Sequence, residues 1–439
     1  MSEVVEDRPA QPQPMGEVFS AFAKIGMLSF GGPAAQIAVM HRVLVEEKRW
    51  LSEERFLHAL NFCMLLPGPE AMQLATYAGW LMRGVVGGLV AGLLFILPGL
   101  AMMLGLSAIY VVYGDVPLLE GLFYGLKAAV IAIVIQALLK VANKALTSRT
   151  MIGVAGVAFL AIYFFRIPFP LIIFGAAVFG FFLWRRDPAT NVSTVTAELS
   201  ARPNLRTSGT LQAAAILIAV WFGTLFLAFT VADEQFITQA SLFFTQTAIV
   251  TFGGAYAVLA YVGQQVVEIY QWISAEDMLR GLGLAETTLG PLVLVLVFVG
   301  FVAGANALPG SELFSGLQGG IIAAFFTFVP CFVFIFGGAP FMERLREIEW
   351  LSASLKAITA AVVGVILNLA IWFAVAVFFD NPIYQQTGPI WLPQIDFGNV
   401  DYLALAIAAA SAVALLRLKL NMPVVLGAAA AVGIATTFV

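Results

Sequence analysis

Charge is what this sequence has least of. Of 439 residues only 11% are charged while 61% are hydrophobic, and the mean hydropathy is +0.95; a soluble globular chain carries roughly 25% charged residues. A water-soluble fold of this length is thereby excluded. Histidine and cysteine are scarce too, with two of each. Cys63 and Cys331 both lie inside apolar runs and read as small buried hydrophobes rather than as a disulfide or a metal pair. His41 and His58 have no partner at metal-ligand spacing. No G-x-x-x-x-G-K-[ST], H-E-x-x-H or G-x-S-x-G motif occurs, so neither an enzyme nor a bound cofactor is expected. The net charge of −4 comes without any basic stripe, which argues against nucleic acid as a partner. Residues 1–17 lack the basic start and apolar core of a signal peptide and read as a disordered cytoplasmic tail.

Apolar stretches fill the rest. Thirteen segments stand between charged or Pro/Gly clusters: 18–45, 56–82, 85–112, 118–141, 151–165, 169–184, 211–231, 236–266, 278–302, 319–336, 351–378, 402–416 and 422–438. Most are long enough to cross a hydrocarbon core of about 30 Å at about 1.5 Å per residue. The expectation is an all-α polytopic membrane protein of about 13 transmembrane helices, with the lipid bilayer as its solvent.

Lysine and arginine in short loops are retained on the cytoplasmic side. They gather at Arg83, at Lys140, Lys144 and Arg149, at Arg185, Arg186, Arg202 and Arg206, at Arg344 and Arg346, and at Arg417 and Lys419. The alternation fits a cytoplasmic N-terminus and an external C-terminus. Arg42, Lys48 and Arg49 break it, as does Arg166; either those loops are tolerated or a neighbouring segment is re-entrant.

The chain also repeats itself. Ser29-Phe30-Gly31-Gly32 matches Thr251-Phe252-Gly253-Gly254 at an offset of 222, the separation of Ser29 and Thr251. The same offset pairs Glu46 with Glu268, Trp50 with Trp272, Glu54 with Glu276, Gly68 with Gly290 and Pro69 with Pro291. Further on, Pro98 matches Pro330 and Lys127 matches Lys356 at larger offsets. The expected organisation is a first repeat over 18–184, a cytoplasmic linker over 185–210, and a second repeat over 211–439 with one extra leading helix. An odd number of crossings between the two starts makes them inverted repeats.

Inside a membrane an interrupted helix is tolerated only where its freed backbone is buried in protein or lines a polar cavity. Ser29, Gly31, Gly32 and Pro33 form one interruption, and Pro67-Gly68-Pro69 a second. Thr251, Gly253, Gly254, Gly290 and Pro291 are their echoes. Each creates a helix N-terminus, whose free N–H groups and partial positive charge suit an anion. Gln36 and Gln73, one turn in, could offer further donors. Lys24 could add positive charge, although snorkelling to the interface is an equal reading. Glu70 and Glu286 flank the second break and its echo, and are the candidates for coupling to protons. Lys127 and Lys356 read as interface anchors. The plain alternative, that these glycines and prolines only permit kinks and close packing, is weakened by their recurrence in both repeats.

The runs FAKIGMLSFGGPAAQIAVMH and LPGPEAMQLATYAGW, echoed by FFTQTAIVTFGGAYAV and GLAETTLGP, resemble the chromate ion transporter family in its two-domain form, from Phe19 to Val439. The resemblance implies an inner-membrane protein that exports chromate from the cytoplasm on the proton motive force and so confers chromate resistance. By motif it carries interest to Lys24, Phe30, Gly31, Gly32, Pro33, Gln36 and His41, to Pro67, Gly68, Pro69, Glu70 and Gln73, and to Phe252, Gly253, Gly254, Glu286, Gly290 and Pro291. Sulfate, a chromate isostere, is the alternative cargo, a passive anion channel is an alternative mechanism, and a homodimer stays open.

Overall fold

A computed structural model describes residues 13–114, 116–186, 207–230, 234–252, 254–341, 348–379 and 383–438. Helix α1 (Met15–Leu28) begins inside the stretch expected to be a tail. It is 14 residues long, about 21 Å at 1.5 Å per residue, and therefore stops at mid-depth. After the break, α2 (Pro33–His41), extended by the wider turn Arg42–Glu47, runs back beside it. Lys24 meets Glu47 at 2.6 Å and Lys48 meets Glu17 at 3.5 Å, so the hairpin ends where it started. The second hairpin is α3 (Glu53–Cys63), opened by a Ser52 cap, followed by α4, residues 70–82. Phe62 on one arm lies 5.2 Å from Tyr77 on the other.

The helical stretch Glu70–Tyr113 is broken by Arg83 and by Gly84 at φ 63, a left-handed value that glycine adopts without a Cβ clash. Beyond that turn α5, residues 85–113, runs antiparallel to α4, with Gly79 closing on the backbone of Gly87. Then come α6 (Pro117–Ala145), α7 (Arg149–Phe165), α8 (Phe169–Arg186) and α9 (Thr207–Thr230).

The second repeat follows the same plan. Helices α10 (Gln235–Val250) and α11 (Ala255–Gly263, extended by Gln264–Ile269) form one hairpin, and α12 (Ala275–Thr287) and α13 (Val295–Ala307) the other. They lead into α14 (Glu312–Gly338) and α15 (Glu349–Phe378). A β-hairpin, β1 (Ile383–Thr387) and β2 (Ile390–Gln394), precedes α16 (Tyr402–Ala412, extended to Arg417) and α17 (Met422–Thr436). Each of α1 to α8 thus has a counterpart in α10 to α17, and α9 is the extra helix.

Of the thirteen apolar segments, the four at 18–45, 56–82, 236–266 and 278–302 turn back midway, because each contains a Gly/Pro break. Arg42, Lys48 and Arg49 consequently share the face of Met15, which removes the main exception to the charge alternation. Five helices, α5 to α9, separate the hairpins of the first repeat from those of the second, so the two sets point in opposite directions. Arg166 at the far end of α7 meets Glu268, which ends the α11 arm, at 3.4 Å. Asn306, near the end of α13, donates to the Trp272 carbonyl just before α12 at 3.1 Å. The first contact sets the second-repeat hairpins on the face opposite Met15, and the second ties their outer ends together.

Packing obeys the same exchange. Gly121 and Gly125 of α6 abut Gly433 and Ala429 of α17, the small-residue contact that lets backbones approach in a membrane. The counterpart pair, α8 and α15, is joined by a Trp184 to Glu349 hydrogen bond of 3.1 Å and by Gly180 against the backbone of Ala353. The β-hairpin has no sequence-level signal of its own. Its Trp391 lies 4.2 Å under the Arg166 guanidinium.

Candidate substrate site

The four breaks meet crosswise, in two pairs. The Gly290 N–H donates to the Ser29 carbonyl at 2.9 Å, and the Gly68 N–H donates to the Thr251 carbonyl at 2.8 Å. Since Ser29 corresponds to Thr251 and Gly68 to Gly290, these two bonds are one bond repeated by the pseudo-twofold axis. The first break of each repeat is therefore stitched to the second break of the other. Phe30 and Leu289 add a bridge of the antiparallel type. Gly99, the central residue of the 85–113 helix, lies against the Leu289 carbonyl, which fixes the crossing at mid-depth.

Four glycines there hold positive φ: Gly31 at 81°, Gly68 at 125°, Gly254 at 99° and Gly290 at 79°. Each lets the chain reverse and start a new helix at once. Helices α2, α4 and α11, and the short turn Leu292–Leu294 that opens α13, all begin at the crossing. Their first N–H groups have no carbonyl four residues back. Pro33 opens α2, while Pro69 and Pro291 directly precede the other two starts of their kind, where a missing N–H costs nothing.

The glutamines serve the chain's own carbonyls. The Gln36 amide donates to Gly31 O at 2.7 Å and to Gly290 O at 2.6 Å, and the Gln73 amide donates to Pro67 O at 2.6 Å. Those bonds fix which end of each amide is nitrogen. The oxygens, Oε1 of Gln36 and Gln73, are buried without a partner. Gln36 and Gln73 thus neutralise carbonyls freed by the breaks; both amide hydrogens of Gln36 are used in this way, and one of the two on Gln73.

Of the two candidate acids, Glu286 is 2% exposed near the end of α12. Its Oε1 accepts from the Tyr256 hydroxyl at 2.5 Å, and its Oε2 is buried without a partner. Glu70 is the first residue of α4, where a carboxylate interacts well with its own helix dipole. Tyr256 went unnoticed in the sequence. The signal was a difference between repeats, since it stands in the first turn after the break where the other repeat has Ala34.

Other candidates lie elsewhere. Lys24 is half-exposed and ion-paired to Glu47 between the arms of its hairpin, away from the crossing. His41 bonds Glu46 at 3.2 Å and also Glu53, outside the break. Lys127 pairs with Glu276 at 3.0 Å on the face opposite Met15. Gly253 falls outside the described residues.

The chain matches the profile of the chromate transporter family over residues 16–181 and 238–434, one match per repeat with α9 between them. It is 32% identical over 365 residues to the chromate transport protein of Pseudomonas aeruginosa, covering 81% of each chain. It is 28% identical over 361 residues to the chromate transport protein of Cupriavidus metallidurans, covering 82% of this chain and 83% of that one. The uncharacterized transporter YwrA of Bacillus subtilis is 25% identical over 166 residues, which are 37% of this chain and 93% of that one. No solved structure matches.

Proposed function

The chain belongs to the chromate transporter family, and on that premise we propose that it carries chromate out of the cytoplasm across the inner membrane, driven by the proton motive force, so that cells resist chromate. The observation that carries this reading is the reciprocal stitching of the breaks, Gly290 to Ser29 and Gly68 to Thr251. It gathers four helix N-termini at mid-depth, where a doubly charged oxyanion can be met by N–H groups without a cluster of basic side chains. The face of Met15 is cytoplasmic in this reading, because Lys48, Arg49, Arg83, Lys144, Arg149 and Arg185 border it. Glu286 is the coupling acid. Tyr256 holds one of its oxygens, and the other is left to take up and release a proton beside the bound anion.

Proteoliposomes loaded with chromate test the proposal. Flux should follow an imposed pH gradient, and Glu286→Gln should abolish that response while leaving chromate exchange in place. Gly31→Leu and Pro69→Ala should lower flux in both modes. Chromate flux indifferent to the pH gradient and unchanged in these variants would overturn the reading, and competition by excess sulfate would reveal a broader oxyanion site.

A further inference from the structure

The two repeats share sequence and fold but differ in packing. In the second repeat α12 lies along α6, with Gly283 placed so that a Cβ there would sit 3.2 Å from Leu126. Glu276, in the first turn of α12, accepts from Lys127 of α6 and from Arg280, each at 3.0 Å. The Tyr110 hydroxyl of α5 donates to Asp277 in the same turn. Helix α11 likewise lies on α15, Gly263 facing Trp372. These contacts lie on the side of the crossing that faces away from Met15.

Exchange the repeats and the counterparts are α3 on α15 and α2 on α6, with Glu54 in place of Glu276 and Lys356 in place of Lys127. Among the described residues α3 has no comparable packing on α15, nor α2 on α6. Glu54 and Lys356 are both exposed, and no ion pair joins them. Asn61, the counterpart of buried Gly283, is exposed. Met64 is 37% exposed where its counterpart Glu286 is 2% exposed.

In an inverted repeat, interchanging the conformations of the two halves converts a path open to one face into a path open to the other. A structure with one set of contacts made and the matching set unmade is therefore one of two related states. We propose that Lys127 with Glu276 and Lys356 with Glu54 are two alternating gates. The first closes the far face in this structure, and the second closes the Met15 face when the first opens. Divergence leaves the first gate with an extra latch, because Arg280 and Asp277 have His58 and Arg55 as counterparts; the Lys–Glu pair stands in both repeats. The inference rests on the reading of the chain as a transporter and not on which anion it carries.

Two measurements test it. The first is charge exchange. Glu54→Lys and Lys356→Glu should each slow transport at least about fivefold, the lower end of a typical coupling between states, and the double variant should return to within about twofold of the parent. Exposed residues that never meet would give reversals without mutual rescue, and that result overturns the gate. The second uses no cargo. In a Cys63→Ala, Cys331→Ala background, Glu54→Cys with Lys356→Cys should be joined by a short bifunctional maleimide, detected as a linked peptide by mass spectrometry. The same link should be suppressed when Lys127→Cys and Glu276→Cys have been joined first. No 54–356 link under conditions that join 127 to 276 completely also overturns it. A link that forms in protein showing no chromate flux keeps the gates and removes the cargo assignment; chromate flux without the link does the reverse.

Discussion

At its two breaks the first repeat carries Pro33 and Pro67, followed by Gln36 and Gln73; the second repeat has Ala255, Leu289, Val258 and Val295 at those positions. Conversely the second repeat carries Tyr256 and Glu286, where the first has Ala34 and Met64. The breaks themselves are alike in backbone terms, since Gly31, Gly68, Gly254 and Gly290 all have positive φ and the cross-repeat bonds are 2.8 and 2.9 Å. Duplication supplied a symmetric backbone, and divergence then divided the side-chain tasks. Amides that neutralise freed carbonyls gather in the first repeat, while the buried acid and its hydroxyl partner gather in the second. Packing follows the same split, with the second-repeat break buried from Thr288 to Val302 and Met64 to Pro67 in the first only partly so.

The largest effect is expected where backbone and space both forbid a side chain. Gly68 has φ 125, and a Cβ there would stand 2.7 Å from the Gln73 amide nitrogen and 3.1 Å from the Cys331 sulfur. Gly31 has φ 81 with only Ala35 nearby, at 3.7 Å. Gly68→Ala should therefore cost about 3 kcal/mol or more, while Gly31→Ala should cost the conformational part alone, about 1–2 kcal/mol. Thermal unfolding in detergent, followed by the loss of the monodisperse peak, ranks the two. Equal costs would mean that the Gly68 contacts relax freely and that the crossing is looser than its hydrogen bonds imply.

Next in size is the difference between the glutamines. Gln36 spans the repeats, holding one carbonyl of each, whereas Gln73 holds a carbonyl of its own hairpin. A buried carbonyl left without a donor costs about 1–3 kcal/mol, so Gln36→Leu should destabilise by roughly twice as much as Gln73→Leu. It should also loosen the contact between repeats. In protein cleaved at a protease site inserted between the repeats, the halves should separate at lower detergent concentration for Gln36→Leu than for Gln73→Leu. The same ease of separation for both would place Gln36's main bond at Gly31, inside its own repeat.

Much of this was legible before any coordinates. The offset of 222 located both repeats and all four breaks, and the misplaced Arg42, Lys48 and Arg49 left two readings open, a tolerated loop or a segment that turns back. An offset shows which residues are equivalent, however, and not which ones touch. Nothing in it required Ser29 to meet Gly290 rather than Thr251. Gln36 and Gln73 could be read as donors to an anion, but not as donors to the chain's own carbonyls, because those carbonyls are freed only once the helices break. Tyr256 was hidden for the same reason, its role depending on a carboxylate thirty residues away that a second hairpin brings to it. The unequal packing of the hairpins was beyond reach altogether, since it distinguishes one state of the molecule from another.

The smallest effect concerns the residue that looked most like a charge for the anion. Lys24 lies at the edge of the first hairpin, bonded to Glu47 at 2.6 Å, with both side chains more than 40% exposed. Exposed pairs of this kind contribute little, because water and salt screen them and both side chains lose freedom in meeting. The Lys24 ammonium, helped by Arg42 and Lys48, holds the Glu47 carboxyl below its ordinary value. A lowered folded-state value adds stability above the ordinary carboxylate range, and that addition disappears as the pH falls through the lowered value. Lys24→Gln should therefore leave chromate KM unchanged and lower the melting temperature only slightly at neutral pH, with the parent and the variant converging in acid below the carboxylate range. A several-fold rise in KM with stability intact would return Lys24 to the substrate path and overturn the reading of the hairpin's edge as structural.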